Sequence, residues 1–481
     1  MTTTITSIGS NQNINSQTPS TCTSSGTDEW VVVFASTPSA SVAIGDLYVA
    51  EDEATTYNIY YYLVTAISGT SYTLKYVKCD DNSMMGCSST SPCDVYGWDF
   101  GPAQGTFKRA FSTITSFEEM VDDASPLYWG TTDDVVGECH ADDTVNGFDE
   151  NDIVFTSKQS LTSVKLTAHS GSRHGGIAGA GVFIKPTTRG THSSSTTGGV
   201  IRVQIDNMTI EWLAINMASI PNASGGTYSQ NNGIKVVGNT VTGVIIRNNL
   251  IHDCEGDKGV SGPVGIVGGV DGGLGNTWSI LNNIIYNFIE GSGDSAGGII
   301  ARKFRGTFNI YNNTIYKITA DGGSKDATGI KCGYYTNTVP NIKNNIVAGL
   351  TASDQKHGFA IESNVTSKSV GTNLSDDTAD AAETAQTMGR NYNSTVNPGA
   401  LVGKTLTEIS FVSTDPDVGF DLHIDEDSDC VDAGADLGTT GGVQTDINGR
   451  DRDASADTWD IGAHEFVPEA TAGAAFLLFL D

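Results

Sequence analysis

Apolar and polar positions repeat with a period of about 31 residues through the middle of the chain. A glycine followed by an apolar residue recurs at Gly233-Ile234, Gly265-Ile266, Gly298-Ile299, Gly329-Ile330 and Gly358-Phe359, at spacings of 32, 33, 31 and 29. In step with it runs an apolar strand broken by two asparagines: Ile246 to Ile251, Ile280 to Ile285, Ile310 to Ile315 and Ile342 to Val347. Two series with one period imply stacked units, each burying its apolar face against its neighbours. The segments are short, rich in Ile, Val and Tyr, and separated by Gly, Asn, Asp and Ser, which is strand and turn chemistry without helical periodicity. Strands of 4–6 residues with turns fill about 22–30 residues per circuit. The pattern therefore predicts an all-β protein built on a right-handed parallel β-helix, with about six coils between residues 150 and 365. An earlier strand, Val203 to Ile210, and an earlier glycine mark, Gly181 to Ile184, extend it upstream.

Asparagine in an apolar strand is costly unless its amide is hydrogen-bonded. Asn248, Asn282, Asn312 and Asn344 are thus expected to form one inward column, an asparagine ladder. Register in a stacked sheet is held by such matched polar pairs.

Outside the coils, residues 1–29 are Ser, Thr, Asn and Gln rich and read as a polar N-terminal arm. Residues 30–106 read as a small β domain for attachment or assembly, with strands near 30–35, 46–50, 58–67 and 72–77 and a hairpin turn at Ser68-Gly69-Thr70-Ser71. Residues 107–149 contain a short capping helix, Phe117 to Asp122, with Ser116 and Glu119 as its capping box. Such a helix shields the first coil from edge pairing. Residues 150–375 hold the coils, 376–466 an irregular stretch and C-terminal cap, and 467–481 an apolar tail.

The chain has 481 residues, with 56 acidic against 26 basic ones and a net charge of −30. That excess argues against nucleic acid as a partner. No stretch is long enough for membrane insertion; Ala474 to Leu480 is too short to span and too apolar to leave in water. The start lacks the basic and apolar segments of a secretory leader, so synthesis and assembly in a cytoplasm are expected. Cys79, Cys87 and Cys93 crowd into one polar loop and are disulfide candidates, with Cys22 or Cys139 as further partners and metal as the alternative. Cys254 and Cys332 read as buried fillers.

Three segments near the end carry a resemblance: Cys430 to Ala435, Thr445 to Arg452, and Trp459-Asp460-Ile461-Gly462-Ala463-His464-Glu465-Phe466. They resemble the closing segment of right-handed, pectate-lyase-like β-helix proteins of phage particles and bacterial surfaces. Phe107 through Glu138-Cys139-His140 to Ala168–Gly175 resembles the opening segment of that group. Together these bracket residues 107–466. The resemblance implies the fold, and leaves activity open among glycan-cleaving, glycan-binding and structural roles.

For chemistry, β-helix grooves need two carboxyls about 5–10 Å apart across a glycosidic bond. Turn acids Asp253, Glu255, Asp257, Glu290, Asp294, Asp321 and Asp326 qualify by type, with Arg302, Lys303, Arg305, Lys325 and Lys331 as partners for a uronic acid. Asp257, Asp294 and Asp326 are the catalytic candidates, although their turns differ in length and polar turns need no function. Asp253, Glu255 and Asp257 are candidates for Ca²⁺, the one cofactor the sequence suggests. His174 suits a structural turn better than a base. Asp446, Arg450, Arg452, Asp460 and Glu465 suit a salt-bridged cap over the last coil. The expected function is a structural protein of a virus particle, of tail-spike, head-fibre or decoration type, at the virion surface. It is expected to form a homotrimer, joined to other virion subunits and in contact with host polysaccharide. A polysaccharide lyase or glycoside hydrolase is the first alternative, and a bacterial surface adhesin, acting outside the cell, the second.

Overall fold

The computed structural model describes residues 3–468, with its longest breaks at 81–104, 188–197, 221–231 and 377–400 and shorter ones such as 52–58, 257–261, 270–273, 292–294 and 322–324. The chain forms a parallel β-helix of about six turns carrying an antiparallel N-terminal sheet. Three parallel sheets make its walls. The first stacks Asp134–Cys139, Ser163–Ala168, Met208–Glu211, Val244–Arg247, Leu274–Leu281, Arg305–Tyr311, Val339–Lys343 and Ser369–Gly371. The second runs from Ile153–Phe155 to Lys356–Ile361, and the third from Phe183–Ile184 to Leu401–Val402.

The glycine marks stack as one column, with Ile234, Ile266, Ile299, Ile330 and Phe359 in register. The glycines give the opposite wall room. A Cβ on Gly233, Gly265, Gly298 or Gly329 would lie 2.3–2.7 Å from Ile251, Ile285, Ile315 or Val347. The interior is thus set by bulky residues of the third sheet against bare backbone of the second.

The asparagine expectation needs a correction. Asn248, Asn282, Asn312 and Asn344 do share a column, but they occupy a left-handed bend, φ 53–55°, between the first and third sheets. Trp212 and Thr372 fill the same slot above and below, at φ 62° and 50°. A residue in that conformation turns the chain outward, so the inward ladder is formed one residue later. Asn249, Asn283, Asn313, Asn345 and Asn373 form it: the Oδ1 of each of the last four accepts from the backbone N and the amide of the asparagine one coil before, and that of Asn249 accepts from Leu213 N. Each amide also donates to a strand carbonyl of the first sheet, from Ile210, Ile246, Ile280, Ile310 and Ile342. Asparagine is among the residues that tolerate the left-handed region, which explains the doublet.

The first 29 residues are not a free arm. Thr3–Ile8 adds a parallel strand to Asp134–Cys139, placing Ile8 in the β-helix core. Asn15–Gln17 and Pro19–Gly26 form the edges of the N-terminal sheet, whose order runs through Gly105–Lys108, Leu47–Glu51, Ile59–Ser68, Ser71–Asp80 and Glu29–Phe34. Threonine-rich segments of this kind need a neighbouring strand rather than a core of their own. Gly69 provides the left-handed turn residue of the expected hairpin, φ +60°. Trp30, Phe34, Tyr48, Tyr62, Tyr72 and Phe107 pack the module's own core.

The helix spans Ile114–Asp122, three residues earlier than its capping-box pattern suggests. Thr113 is the N-cap, its hydroxyl accepting from Ser116 N at 3.0 Å. The carboxylate at its N-terminus comes from Glu150, accepting from Ile114 N and Thr115 N at 2.7 and 2.6 Å. Phe117 enters the core against Phe111, Trp129 and Phe155.

The C-terminal segment caps the flank of the β-helix rather than its last coil. Leu406–Ile409, Phe411–Ser413, Asp421–Ile424 and the stretch to Phe466 cover the outer face of the third sheet, where Leu250, Ile284, Tyr286, Tyr316 and Ile346 meet Phe420, Leu422, Ile447 and Ile461. The outward asparagines hold this strap: Asn248 donates to Asp446 O, Asn282 to Thr445 O and Asn344 to Ala435 O, at 2.7–2.8 Å. Within it, buried Arg452 pairs with Glu465 at 2.6 Å, and Asp446 accepts from three backbone N–H groups. Of the expected closing ions, Arg452 and Glu465 form a salt bridge, Asp446 and Asp460 accept from backbone N–H groups, and the whole lies on the side of the rod. The expected assembly role of the apolar tail falls on residues 469–481, outside those described.

Candidate functional site

The turn acids named from sequence do not converge among the described residues. Asp257 and Asp294 lie outside them. Asp326 sits at a coil edge, 3.9 Å from His357 Nε2. Asp253 occupies a second left-handed column with Asn287 and Lys317, and its oxygens are taken by His252 at 2.7 Å and Asn287 at 2.6 Å. Glu255 is exposed, while Glu290 is fully buried. No group of three metal-ligating side chains is assembled among the described residues. Cys87 and Cys93 also fall outside them, as does the side chain of Cys79; Cys22 is disulfide-bonded, and Cys139, Cys254, Cys332 and Cys430 are buried thiols outside any disulfide. His174 is a turn residue, with Nδ1 accepting from Gly176 N at 2.9 Å and Nε2 at 3.0 Å from Asn248 O.

The residues that do converge lie where the N-terminal module meets the first coils. There a cleft of about 980 Å³ opens between the loop Ser41–Ile44 and the outer face of the first sheet. Its floor follows strand register. Glu138, Thr167, Glu211 and Arg247 are consecutive partners across four strands. Lys165 stands in the adjacent row, between Val136 and Thr209. His169 and Arg173 close one end, Arg173 lying 4.2 Å over the ring of Trp212. The wall is fixed by Arg109, buried between Asp46 of the module at 2.9 Å and Asp142 of the β-helix at 2.8 Å.

The floor carboxylates are shifted in opposite directions. Burial raises Glu138, against the partial opposition of His169, Lys165 and Arg173. Burial would also raise Glu211, but Arg247 and then Lys165 outweigh it and hold its carboxyl below the usual range. Glu211 is contacted by Arg247 at 2.6 Å and by Lys165 at 3.3 Å. One strand lies between those of the two acids, so two spacings, about 9.6 Å, separate their backbones. His140, stacked on His169 at 4.6 Å, is held neutral: burial, then Arg109 and His169, lower it to about 3. Such a surface offers donors and acceptors of both signs to a polyhydroxylated ligand, with one carboxyl biased toward its acid form and one toward its base form.

Sequence reasoning passed over these residues because it searched the turns. Their signal was present in the strand alternation, which puts Glu138, Lys165 and Glu211 at outward positions between apolar inward ones. Comparison with known proteins adds nothing to this geometry: no protein-family model, no curated protein and no solved structure matches the chain.

Proposed function

We propose that this chain is a structural rod of a virus particle, of the tail-spike, head-fibre or decoration kind, that contacts host-surface glycan through the cleft between its N-terminal module and first coils. What supports the reading is the cleft floor, where Glu138, Lys165, Thr167 and Glu211 stand in rows on stacked strands. Stacked strands hold polar groups more precisely than loops do, and extended sugars need such regularly spaced partners. In this reading the module joins the rod to other virion subunits, the rod acts as a homotrimer, and the strap stiffens its flank.

Binding of the full-length protein to a panel of bacterial surface polysaccharides tests the glycan contact. Lys165→Ala and Arg173→Ala should each weaken the best ligand at least tenfold, while Asp326→Asn should not. If no polysaccharide binds, or if Asp326→Asn alone weakens binding, the cleft is not the contact surface. Antibody labelling of purified particles tests the location.

The opposed carboxyls favour a second reading, hydrolysis of that glycan with inversion. Glu138 would protonate the leaving oxygen and Glu211 would activate water, at a separation near that of inverting pairs. Chain shortening that is lost in Glu138→Gln and in Glu211→Gln would establish it.

A further inference from the structure

The chain has eight histidines, and four of them meet at one seam between the strap and the coils. His174 and His252 come from the coil side, His423 and His464 from the strap. His423 and His464 pack edge to face at 4.5 Å. His423 Nε2 is 3.2 Å from Asn448 Oδ1, and Gly176 is bare where a Cβ would come within 2.9 Å of that same nitrogen. His252 stacks on Tyr286 at 5.2 Å, and Tyr286 packs on Phe420 of the strap at 5.0 Å. His464 is 93 % buried, its Nδ1 has no hydrogen-bond partner, and its Nε2 lies 3.5 Å from Arg450.

From this arrangement we propose that the C-terminal segment, residues 406–466, is an acid-released strap: protonation of His174 and His464 in the seam detaches it from the flank of the β-helix and uncovers the apolar face beneath.

The groups around the seam fix the pH at which this happens. The coil side presents Arg173, His174, His252 and Asp253; the strap presents Asp421, His423, Arg450, Arg452, Asp460, His464 and Glu465. Asp253 is spent on His252 and Asn287, and Asp421 on His423. His174 and His464 have no carboxylate partner within hydrogen-bond reach. Burial, with the neighbouring cations, lowers them to about 4 and about 2. In the released strap both would titrate at about 6.5, so release takes up protons and acid favours it.

Two carboxyls oppose this. Burial raises Glu465 to about 7 and Asp460 to about 6, so both gain protons in the closed state as pH falls and hold the strap down. Their contribution stops growing once the released carboxyls also protonate, at about pH 4, where that of His174 stops too, whereas that of His464 keeps growing. The sum is nearly flat from about pH 7 to 5 and falls below about pH 5. Asp421, held low chiefly by His423 against its burial, adds to the loss at the acid end.

Hydrogen exchange of the full chain, followed by mass spectrometry and corrected for the intrinsic rate at each pH, reads the strap directly. Peptides of 406–466 should lose roughly fivefold or more in protection between about pH 5 and 3.5, while peptides of the coil strands stay protected. Glu465→Gln should move the release upward by more than one pH unit, because it removes the opposing carboxyl. His464→Gln and His174→Gln should move it downward, a direction that simple destabilisation cannot produce. Retained protection of the strap at pH 3.5, loss in step with the coils, or an upward shift in both histidine variants would each overturn the proposal. If a histidine variant does not fold, the wild-type profile and Glu465→Gln still decide it.

Discussion

Asn312 and Asn313 are adjacent, identical in type and both fully buried, yet removal of their side chains should have very different effects. The Asn313 amide makes five hydrogen bonds. Its Oδ1 accepts from Asn283 N at 3.0 Å and Asn283 Nδ2 at 2.9 Å. Its Nδ2 donates to Ile280 O, Asn345 Oδ1 and Tyr311 O at 2.9, 2.9 and 3.1 Å. Asn283 Nδ2 keeps Ile246 O, and Asn345 Oδ1 keeps Asn313 N. In Asn313→Ala the main casualty is therefore the backbone N–H of Asn283, left without its acceptor inside the wall. One orphaned buried donor costs about 1–3 kcal/mol, and the weakened carbonyls add about 1 kcal/mol each. The total is about 3–5 kcal/mol. Neither amide atom of Asn312 has a hydrogen-bond partner. Asn312→Ala gives up only the tolerance of asparagine for φ 54°, about 1 kcal/mol. Urea unfolding followed by far-ultraviolet circular dichroism measures both. Equal losses, or a larger loss for Asn312→Ala, would refute the assignment of the ladder to the second asparagine.

Three further outcomes are expected. Burial pushes Glu118 up to about 8, with Asp122 adding to the shift; a raised carboxyl contributes stability at low pH that is lost as pH rises through that value, so Glu118→Gln should flatten the profile and add about 1–3 kcal/mol at pH 8. Arg109→Met leaves Asp46 buried without its partner and should cost about 3–5 kcal/mol, read as an earlier unfolding step of the N-terminal module. Glu150→Gln removes the carboxylate from the helix start and should cost about 1–2 kcal/mol in thermal melts; an unchanged melting temperature would show that Thr113 caps alone.

The repeat was legible in the sequence because stacking forces like residues into like places. The Gly-apolar column followed directly from it. Period alone could not say which asparagine of each doublet faces inward, since one left-handed residue reverses the parity of everything after it. Thr372-Asn373 held the clue: where the doublet is broken, the second asparagine is the one retained. The path of the strap was hidden for another reason. Asn282 to Thr445 and Asn248 to Asp446 join residues 163 and 198 positions apart, and no local pattern encodes such contacts. The cleft residues were missed because charged residues outward on strands look like ordinary solvated positions until a second domain roofs them.

Thr3–Ile8 precedes its partner Asp134–Cys139 by more than a hundred residues. On the ribosome that strand has nowhere to lie while the N-terminal sheet assembles, and the first coil has an open edge until the strand docks. The strand is exposed from its synthesis and the edge from its own, until the two pair, each a template for another nascent chain. Arg109, which locks the module to Asp142 of the β-helix, shortens that interval by holding the two within reach of each other. A chain lacking residues 3–8 would keep the edge open permanently, and its yield would be limited by association between partly made molecules rather than by the stability of the finished rod.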